Sequence, residues 1–482
     1  MSIKKFILLL SALIFLLLPL TAQDDVTFEE QTAPENTTAF SNGVDCTKTH
    51  WLTGISSIFT PSLVIGAYNR WITKPEWAQV TWDDMTNFDE KGLVWDNDWY
   101  WTNFILHPYQ GGLYYMGARN ANFGSYGSLA IAFLGSTVWE YFCEANSPSR
   151  NDMIFTTFGG MAVGEMLFRL SLNGTETWRP LGYILNPMRL YTDFTTKHKP
   201  GGELEKIYEL SLRPTFTASF GYTKFEKEDR INELYPALLS IECNVVYNDP
   251  YGHDSNDPYS QFELAIGGGL GVSSGIGFRS MEEKLGYDIH VLSHGMILSR
   301  NPNKTDETKD TTFGLGMDFD FVWRSFFNIA SIAPGLALKQ RIYLPNSKLE
   351  WQLHLDAILC GATEQTHIRR HIIEINGNKR AYTFTTGAEL VTKLKWTLAH
   401  GDILDFNLHA YAMYDYPDSD KKWSAEGWEF PCYATLTYEM PVSKRVSFGV
   451  ENDLYWKHSF YKNYSDATAV CYSAGIFARI NF

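Results

Sequence analysis

From about Lys206 to Phe482 the chain alternates apolar and polar residues with a period of two. In "DILDFNLHAYAMYDY", Leu404, Phe406, Leu408, Ala410, Ala412, Tyr414 and Tyr416 share one face, while Asp405, Asn407, His409, Tyr411 and Asp415 share the other. "KLEWQLHLDAIL" repeats the arrangement, with Leu349, Trp351, Leu353, Leu355 and Ala357 against Glu350, Gln352, His354 and Asp356. In "TTFGLGMDFDFVW", Phe313, Leu315, Met317, Phe319, Phe321 and Trp323 oppose glycines, Asp318 and Asp320. Successive side chains of a strand point to opposite faces, so each segment offers one face to an apolar medium and the other to water. A soluble β-sandwich alternates in the same way, but two features favour a membrane barrel. The segments run about 11–16 residues, long enough to cross a bilayer at a tilt. Tyr and Trp gather at segment ends (Trp323, Tyr343, Tyr414, Tyr416, Tyr455, Trp456), where an aromatic girdle belongs.

The segments fall near 206–223, 234–247, 260–272, 285–299, 311–324, 331–344, 348–360, 381–398, 403–416, 430–441, 444–457 and 468–482. They predict a membrane all-β fold, an antiparallel up-and-down barrel of about twelve strands. Polar loops such as "NPNKTDETKD" and "YPDSDKKWSAEGW" and short turns such as "LPNSK" and "PVSK" are expected to alternate between two rims. The lumen of such a barrel is narrow enough for side chains to fill. The last segment, "AVCYSAGIFARINF", holds Tyr472, Ala474, Ile476, Ala478, Ile480 and Phe482 in register. A final strand closing on Phe resembles the assembly signal of bacterial outer-membrane barrels, which implies the barrel-assembly machinery as a partner.

Between about Trp51 and Leu172 the period changes to that of helices. "SYGSLAIAFLGSTVWEYFCEA" and "SRNDMIFTTFGGMAVGEMLFRLSL" are apolar over most of their circumference, so they must be buried. "NSPSRND" separates them and offers Ser and Asp for N-capping. Residues 51–195 are therefore read as a helical domain serving as plug, gate or periplasmic cap, and 206–482 as the barrel. Residues 1–22 have the order of a secretory signal peptide: lysines in "MSIKK", an apolar run of about fifteen residues, then "TA". Residues 23–50 form a polar, acidic lead, expected to be flexible.

Composition supports an exported barrel. Aromatic residues make up 15 %, yet mean hydropathy is slightly negative. Beyond the leader no run of 18 apolar residues occurs, so no transmembrane helix is expected. The net charge of −15 argues against nucleic acid as a partner, and lipid of the outer membrane is the expected surrounding. Cys46, Cys143, Cys243, Cys360, Cys432 and Cys471 show no metal-ligand spacing and read as small, mostly unpaired structural residues.

Polar residues in the helical part are few and fall where burial is expected. "HPYQGGLYYMGARN" places His107, Gly111, Tyr115 and Arg119 at four-residue steps on one face, beside Tyr109 and Gln110. The next helix carries Glu140 and Glu144, and the third carries Asp152, Glu165 and Arg169. Gly160 and Gly164 have the spacing that lets a neighbouring helix approach closely. The order HPYxGGxYY…AR, WEYF, PSxND and GGxxxGExxxR, with "YILNPMRL" after it, resembles an uncharacterised bacterial family of unknown function over roughly residues 95–195. "GARN" departs from that family's wording, which puts Asn120 in doubt as a functional position. The resemblance implies export to the outer membrane of a Gram-negative-type envelope, and no reaction.

His107, Glu140, Asp152 and Glu165 are the candidate catalytic group, with Tyr109, Gln110, Tyr115, Arg119 and Arg169 as a binding or structural polar cluster. A carboxylate beside an imidazole can act as general base and orienter. The plainer reading is that Arg119 and Arg169 neutralise Glu140 and Glu165 while His107 caps a helix, since buried charges need partners. No recognised nucleophile motif occurs, and no metal or cofactor is expected. "GGGLGVSSGIG" reads as close strand packing, and His290, His294, His354 and His409 as solvated lumen residues. Asp318, Asp320, Asp356, Asp405, Glu451 and Asp453 share that face with Arg213, Lys339, Arg341, Lys393 and Arg479, a mixture that predicts cross-barrel ion pairs. The expected function is an outer-membrane barrel that passes or binds a small or amphipathic solute behind a helical gate; the alternatives are a lipid-modifying enzyme or a closed structural barrel. The leader makes one direct prediction: the exported chain starts at Gln23, so its intact mass matches residues 23–482, and a mass retaining the apolar run refutes cleavage.

Overall fold

A computed structural model describes residues 40–41, 44–45, 48–86, 92–96, 98–197, 206–226, 231–272, 285–364, 366–367, 382–416 and 426–482. The leader at 1–22 and most of the acidic lead lie outside the described residues, and within the lead Phe40–Ser41 pairs with Val44–Asp45. The chain forms two compact units, one ending at Leu204 and one running from Glu205 to Phe482.

The second unit is a closed barrel of twelve strands. They are β1 (Ile207–Phe225), β2 (Ile231–Tyr247), β3 (Phe262–Val272), β4 (Leu285–Arg300), β5 (Lys309–Arg324) and β6 (Asn328–Leu344), then β7 (Ser347–Glu364), β8 (Tyr382–Thr397), β9 (Ile403–Asp415), β10 (Gly427–Pro441), β11 (Val446–Tyr461) and β12 (Ala467–Asn481). Each strand pairs antiparallel with its sequence neighbours, and β12 closes on β1 from Ala467↔Phe225 to Asn481↔Ser211. Closure leaves no edge, so every strand finds hydrogen-bond partners without water, as a hydrocarbon environment demands.

Alternation assigns the two faces. Phe216, Leu239, Phe313, Leu315, Leu336, Leu355, Leu394, Leu404, Leu436, Phe448, Leu454 and Ile476 are exposed apolar side chains on the outside. On the inside, Glu242, His290, His294, Asp318, Lys339, His354, Glu389 and His409 are hydrogen-bonded or ion-paired. Tyr455 departs from the girdle expectation: it is buried in the lumen, stacked on Phe327 with ring centroids 3.8 Å apart. Its odd parity on β11, shared with Glu451 and Asp453, is what turns it inward. The connections also depart from strict alternation, because "NPNKTDETKD" shares a rim with the short turns "LPNSK" and "PVSK". On that same rim the segment after β2 folds inward. Its Tyr259 and Gln261 are fully buried, and Asp249 pairs with lumen-facing Arg341 at 2.9 Å.

The first unit is helical: α1 (Trp51–Ser56), α2 (Phe59–Tyr68), α3 (Trp82–Thr86), α4 (His107–Asn120), α5 (Ser125–Phe142), α6 (Arg150–Ile154), α7 (Gly160–Thr177), α8 (Arg179–Leu185) and α9 (Met188–Thr196). A π-helical turn, Phe155–Gly159, joins α6 to α7, and another, Thr102–Leu106, leads into α4. The resulting rod Arg150–Thr175 is long and apolar enough to cross a membrane, which the sequence run did not show, but 72 % of its 18-residue apolar window is buried inside the structure. Its glycines make the central contact. A Cβ on Gly111 would lie 1.7 Å from the Thr156 carbonyl oxygen, and one on Gly160 would lie 2.6 Å from the Gly111 carbonyl carbon. Backbone thus meets backbone where α4 crosses the rod, as the Gly160 and Gly164 spacing predicts.

The crossing yields a prediction. Gly111→Leu forces the two helices apart and should destabilise the helical unit by about 3 kcal/mol or more. Protease resistance of residues 100–177 reads this directly, and wild-type resistance in the variant would refute the crossing.

Candidate functional site

The polar residues of the helical unit resolve into two groups. In the first, α6 begins at a true cap: the Ser149 hydroxyl accepts from the Asp152 backbone N–H at 3.3 Å. The segment before α4 docks here, since the Val94 N–H donates to the Pro148 carbonyl at 3.0 Å and the Arg150 N–H to the Val94 carbonyl at 2.9 Å. That docking brings Asp96 to the cap, where its N–H donates to Asn151 Oδ1 at 3.2 Å and its Oδ1 accepts from Asn103 at 2.6 Å. His107 Nε2 lies 3.5 Å from Asp152 Oδ1, which also accepts from Asn151 Nδ2 at 2.7 Å. Glu140 joins through the backbone, accepting from the Ser149 N–H at 2.7 Å.

Burial sets the protonation of this group. Desolvation lowers the His107 pKa against the pull of Asp96, so the imidazole is neutral at pH 7. Asp152 is pushed well above the usual carboxylate range by burial, reinforced by Asp96 and Glu140. Glu140 is pushed up to about 9 by burial and then by Glu144, with the Ser149 N–H opposing. His107, Glu140 and Asp152 are therefore uncharged at pH 7. Asp96, His107 and Asp152 also offer ligand atoms within 4.8 Å of one another, so they are one group able to hold a cation.

Glu165 belongs to the second group. It is fully buried and accepts from Arg119 Nε at 2.8 Å and Arg119 Nη2 at 3.1 Å, and from Arg169 Nε at 2.9 Å. Two arginines therefore neutralise one glutamate, and Glu140 takes a backbone N–H in place of the arginine the sequence reading assigned to it. His107 is not a cap either, because the helix continues through it from the π turn at Thr102–Leu106. Gln110 donates to the Tyr114 hydroxyl at 2.8 Å, Tyr115 is buried against Gly164, and Tyr109 is exposed. Asn120 is buried and exchanges hydrogen bonds with Asn186, a structural part. Sequence reasoning missed Asp96, Asn103 and Asn151. Asp96 lies in an extended stretch with no helical face to place it, and the paired "ND" at the cap was the available signal for Asn151.

In the barrel the lumen surrounds a cavity of about 380 Å³. Ion pairs cross it. Glu263 on β3 accepts from Lys339 on β6 and from Lys393 on β8, each at 2.8 Å. Arg213 on β1 lies 3.3 Å from both Glu242 on β2 and Glu451 on β11. The cross-barrel network read from the alternation is therefore present. The histidines differ from the expectation: His290, His294, His354 and His409 are buried rather than solvated. Glycines make room for them. His290 reaches over Gly267 on β3 to Glu242 Oε2 at 2.9 Å, and a Cβ on Gly267 would lie 2.3 Å from the ring. Further along, Phe326 and Phe327 of the β5–β6 turn insert among Tyr411, Met413 and Tyr455, forming an apolar core within the lumen.

A closed antiparallel barrel with an apolar outer face and a charged interior defines the outer-membrane barrel class. Within the helical unit, residues 92–182 match the family model described as a domain of unknown function (DUF3943), over much of the stretch that carries the motif resemblance. Among solved structures, the chain is similar to an outer-membrane channel from Pseudomonas putida F1, with 7 % identity over 58 % of this chain and 99 % of that one and a TM-score of 0.31. It is also similar to a NanC porin, at 11 % identity over 54 % and 98 % with a TM-score of 0.25. The P. putida toluene transporter TodX matches at 7 % identity over 57 % and 91 %, with a TM-score of 0.24. The comparison with curated proteins finds no match.

The raised Glu140 pKa fixes the sign of a pH dependence. A carboxyl that is neutral in the fold and ionises near 4.5 when unfolded favours folding fully below about pH 4.5, and that contribution is lost as pH rises toward about 9. Amide-exchange protection of α5 and α6 should therefore fall between pH 5 and 9, by an amount on the order of a few kcal/mol. Glu140→Gln should flatten the profile. Parallel profiles in the two proteins would remove the assignment.

Proposed function

We propose that the barrel binds and passes a small polar or amphipathic solute through its lumen, with the helical unit as gate. The observation that carries this reading is the lumen cavity. Its volume of about 380 Å³ suits one small molecule. Its walls combine fixed charges (Arg213, Glu242, Asp288, Arg324) with the aromatic surfaces of Phe326, Phe327 and Tyr455. A purely structural barrel has no need of a chamber lined in this way, since side chains can fill a lumen of this size. The mixed lining also suits a solute with one charged and one apolar end, because each part finds a matching wall. In this reading Phe326 and Phe327 form the narrow apolar step of the path, and the Glu263–Lys339–Lys393 bridge forms the polar one. An outer-membrane location follows the fold class.

The test is conductance of the purified full chain in planar bilayers. Wild-type protein should show small, infrequent openings, and the double variant Phe326→Ala, Phe327→Ala should raise open conductance severalfold. Bilayers that stay silent with both proteins, each shown to be folded and inserted, would exclude solute passage.

A further inference from the structure

The lumen contains a group of buried carboxyl groups that no Arg or Lys among the described residues pairs with. Glu242, Glu263, Asp288 and Glu350 each hold an Arg or Lys partner. Among the described residues Asp318, Asp320, Asp356 and Glu389 hold none: Asp318, Asp320 and Glu389 meet only histidine as a possible counter-charge there, and Asp356 meets no ion-pair partner. All four are buried, and burying unpaired charge is costly.

The histidines converge on one of these carboxylates. His294 Nδ1 on β4 lies 2.8 Å from Asp318 Oδ1, and His354 Nδ1 on β7 lies 3.0 Å from Asp318 Oδ2. The two rings stack with centroids 3.8 Å apart. This meeting spans β6, whose inward positions there are Ala333, Gly335 and Ala337, so nothing larger than a methyl group intervenes. Gly316 likewise leaves space for the His294 ring, since a Cβ there would lie 2.3 Å from it. One ligand atom from each of His294, Asp318 and His354 falls within 4.8 Å of the others.

A second observation points to a ligand. Neither carboxylate oxygen of Asp356 accepts from an N–H or hydroxyl among the described residues, and its carboxyl neighbours that of Asp318, although the residue is only 5 % exposed. It faces the lumen two residues along β7 from His354, against Gly335, where a Cβ would come within 2.3 Å of Asp356 Oδ1. The Nε2 of His354 is also buried without a partner. Two imidazoles and one carboxylate with ligand atoms within 4.8 Å of one another, and a second buried carboxylate two residues along β7, have no Arg or Lys partner among the described residues and form the ligand set of a divalent transition metal. Nitrogen donors disfavour Ca²⁺ and Mg²⁺, whereas tetrahedral N₂O₂ suits Zn²⁺.

We propose that His294, Asp318, His354 and Asp356 form a Zn²⁺-class metal site inside the barrel. It holds whether or not the lumen passes solute, because it concerns equilibrium binding alone. The metal takes the place of the protons shared between Asp318 and the two imidazoles and between Asp318 and Asp356.

The experiment uses the full chain, folded in detergent and stripped with EDTA, then dialysed against ZnCl₂ with metal quantified per protein. One equivalent should bind and resist excess Mg²⁺ and Ca²⁺. His294→Gln and His354→Gln should each weaken binding more than tenfold, while His400→Gln, on an exposed turn, should leave it unchanged. Heat-modifiable gel migration checks that each variant is folded. Substitution with Co²⁺ in the wild-type protein gives a readout independent of the variants: an intense visible band marks tetrahedral coordination by these ligands. Less than one equivalent of Zn²⁺, equal affinity in the histidine variants, or only the weak band of octahedral Co²⁺ would each overturn the site.

Discussion

The constraint on which the structure depends is that a strand in hydrocarbon must satisfy its backbone hydrogen bonds within the protein. Closure of β12 on β1 meets it for all twelve strands. Closure then creates a second demand. Half of the strand residues point into a narrow lumen, and their charges leave bulk water together. Glu263 with Lys339 and Lys393, Arg213 with Glu242 and Glu451, and Arg341 with Asp249 and Glu350 are the consequences. Arg213–Glu242 and Arg341–Glu350 are direct cross-strand neighbours, whereas Glu263 meets Lys339 and Lys393, and Arg213 meets Glu451, because the sheet has curled far enough to bring non-adjacent strands within reach.

Small residues decide which charges meet. Gly267 lets His290 cross β3 to Glu242, and Ala333, Gly335 and Ala337 let Asp318 and His354 meet over β6. A larger side chain at any of these positions would place its own bulk where the contact now runs. The glycines that looked like simple strand-packing elements in "GGGLG" therefore shape the lumen's electrostatics. The apolar insertion of Phe326 and Phe327 does the opposite, using a tight turn to bring hydrocarbon into a polar channel.

The helical unit follows the same logic with different elements. Glycine at 111 and 160 brings α4 and the Arg150–Thr177 rod into backbone contact, and the close approach buries charge on both sides of the crossing. At Glu165 two arginines neutralise that charge. At Asp152 and Glu140 protonation neutralises it instead, because among the described residues no Arg or Lys pairs with either and burial raises both pKa values.

By itself the sequence determined the barrel, its count of about twelve strands and, apart from Tyr455, most of the side chains that face the lumen, because a period of two is a local property and each strand carries it independently. It also determined the close helix crossing, through the spacing of Gly160 and Gly164, and a capping loop at "NSPSRND", within which the structure selects Ser149. Only the tertiary structure decided the partners. Asp96 reaches His107 through a docked extended segment with no periodicity of its own. Glu140 finds a backbone N–H rather than an arginine. Histidines expected in water lie buried against carboxylates from other strands. Alternation specifies a face, whereas a partner depends on register and curvature, which arise only when all the strands have closed on one another.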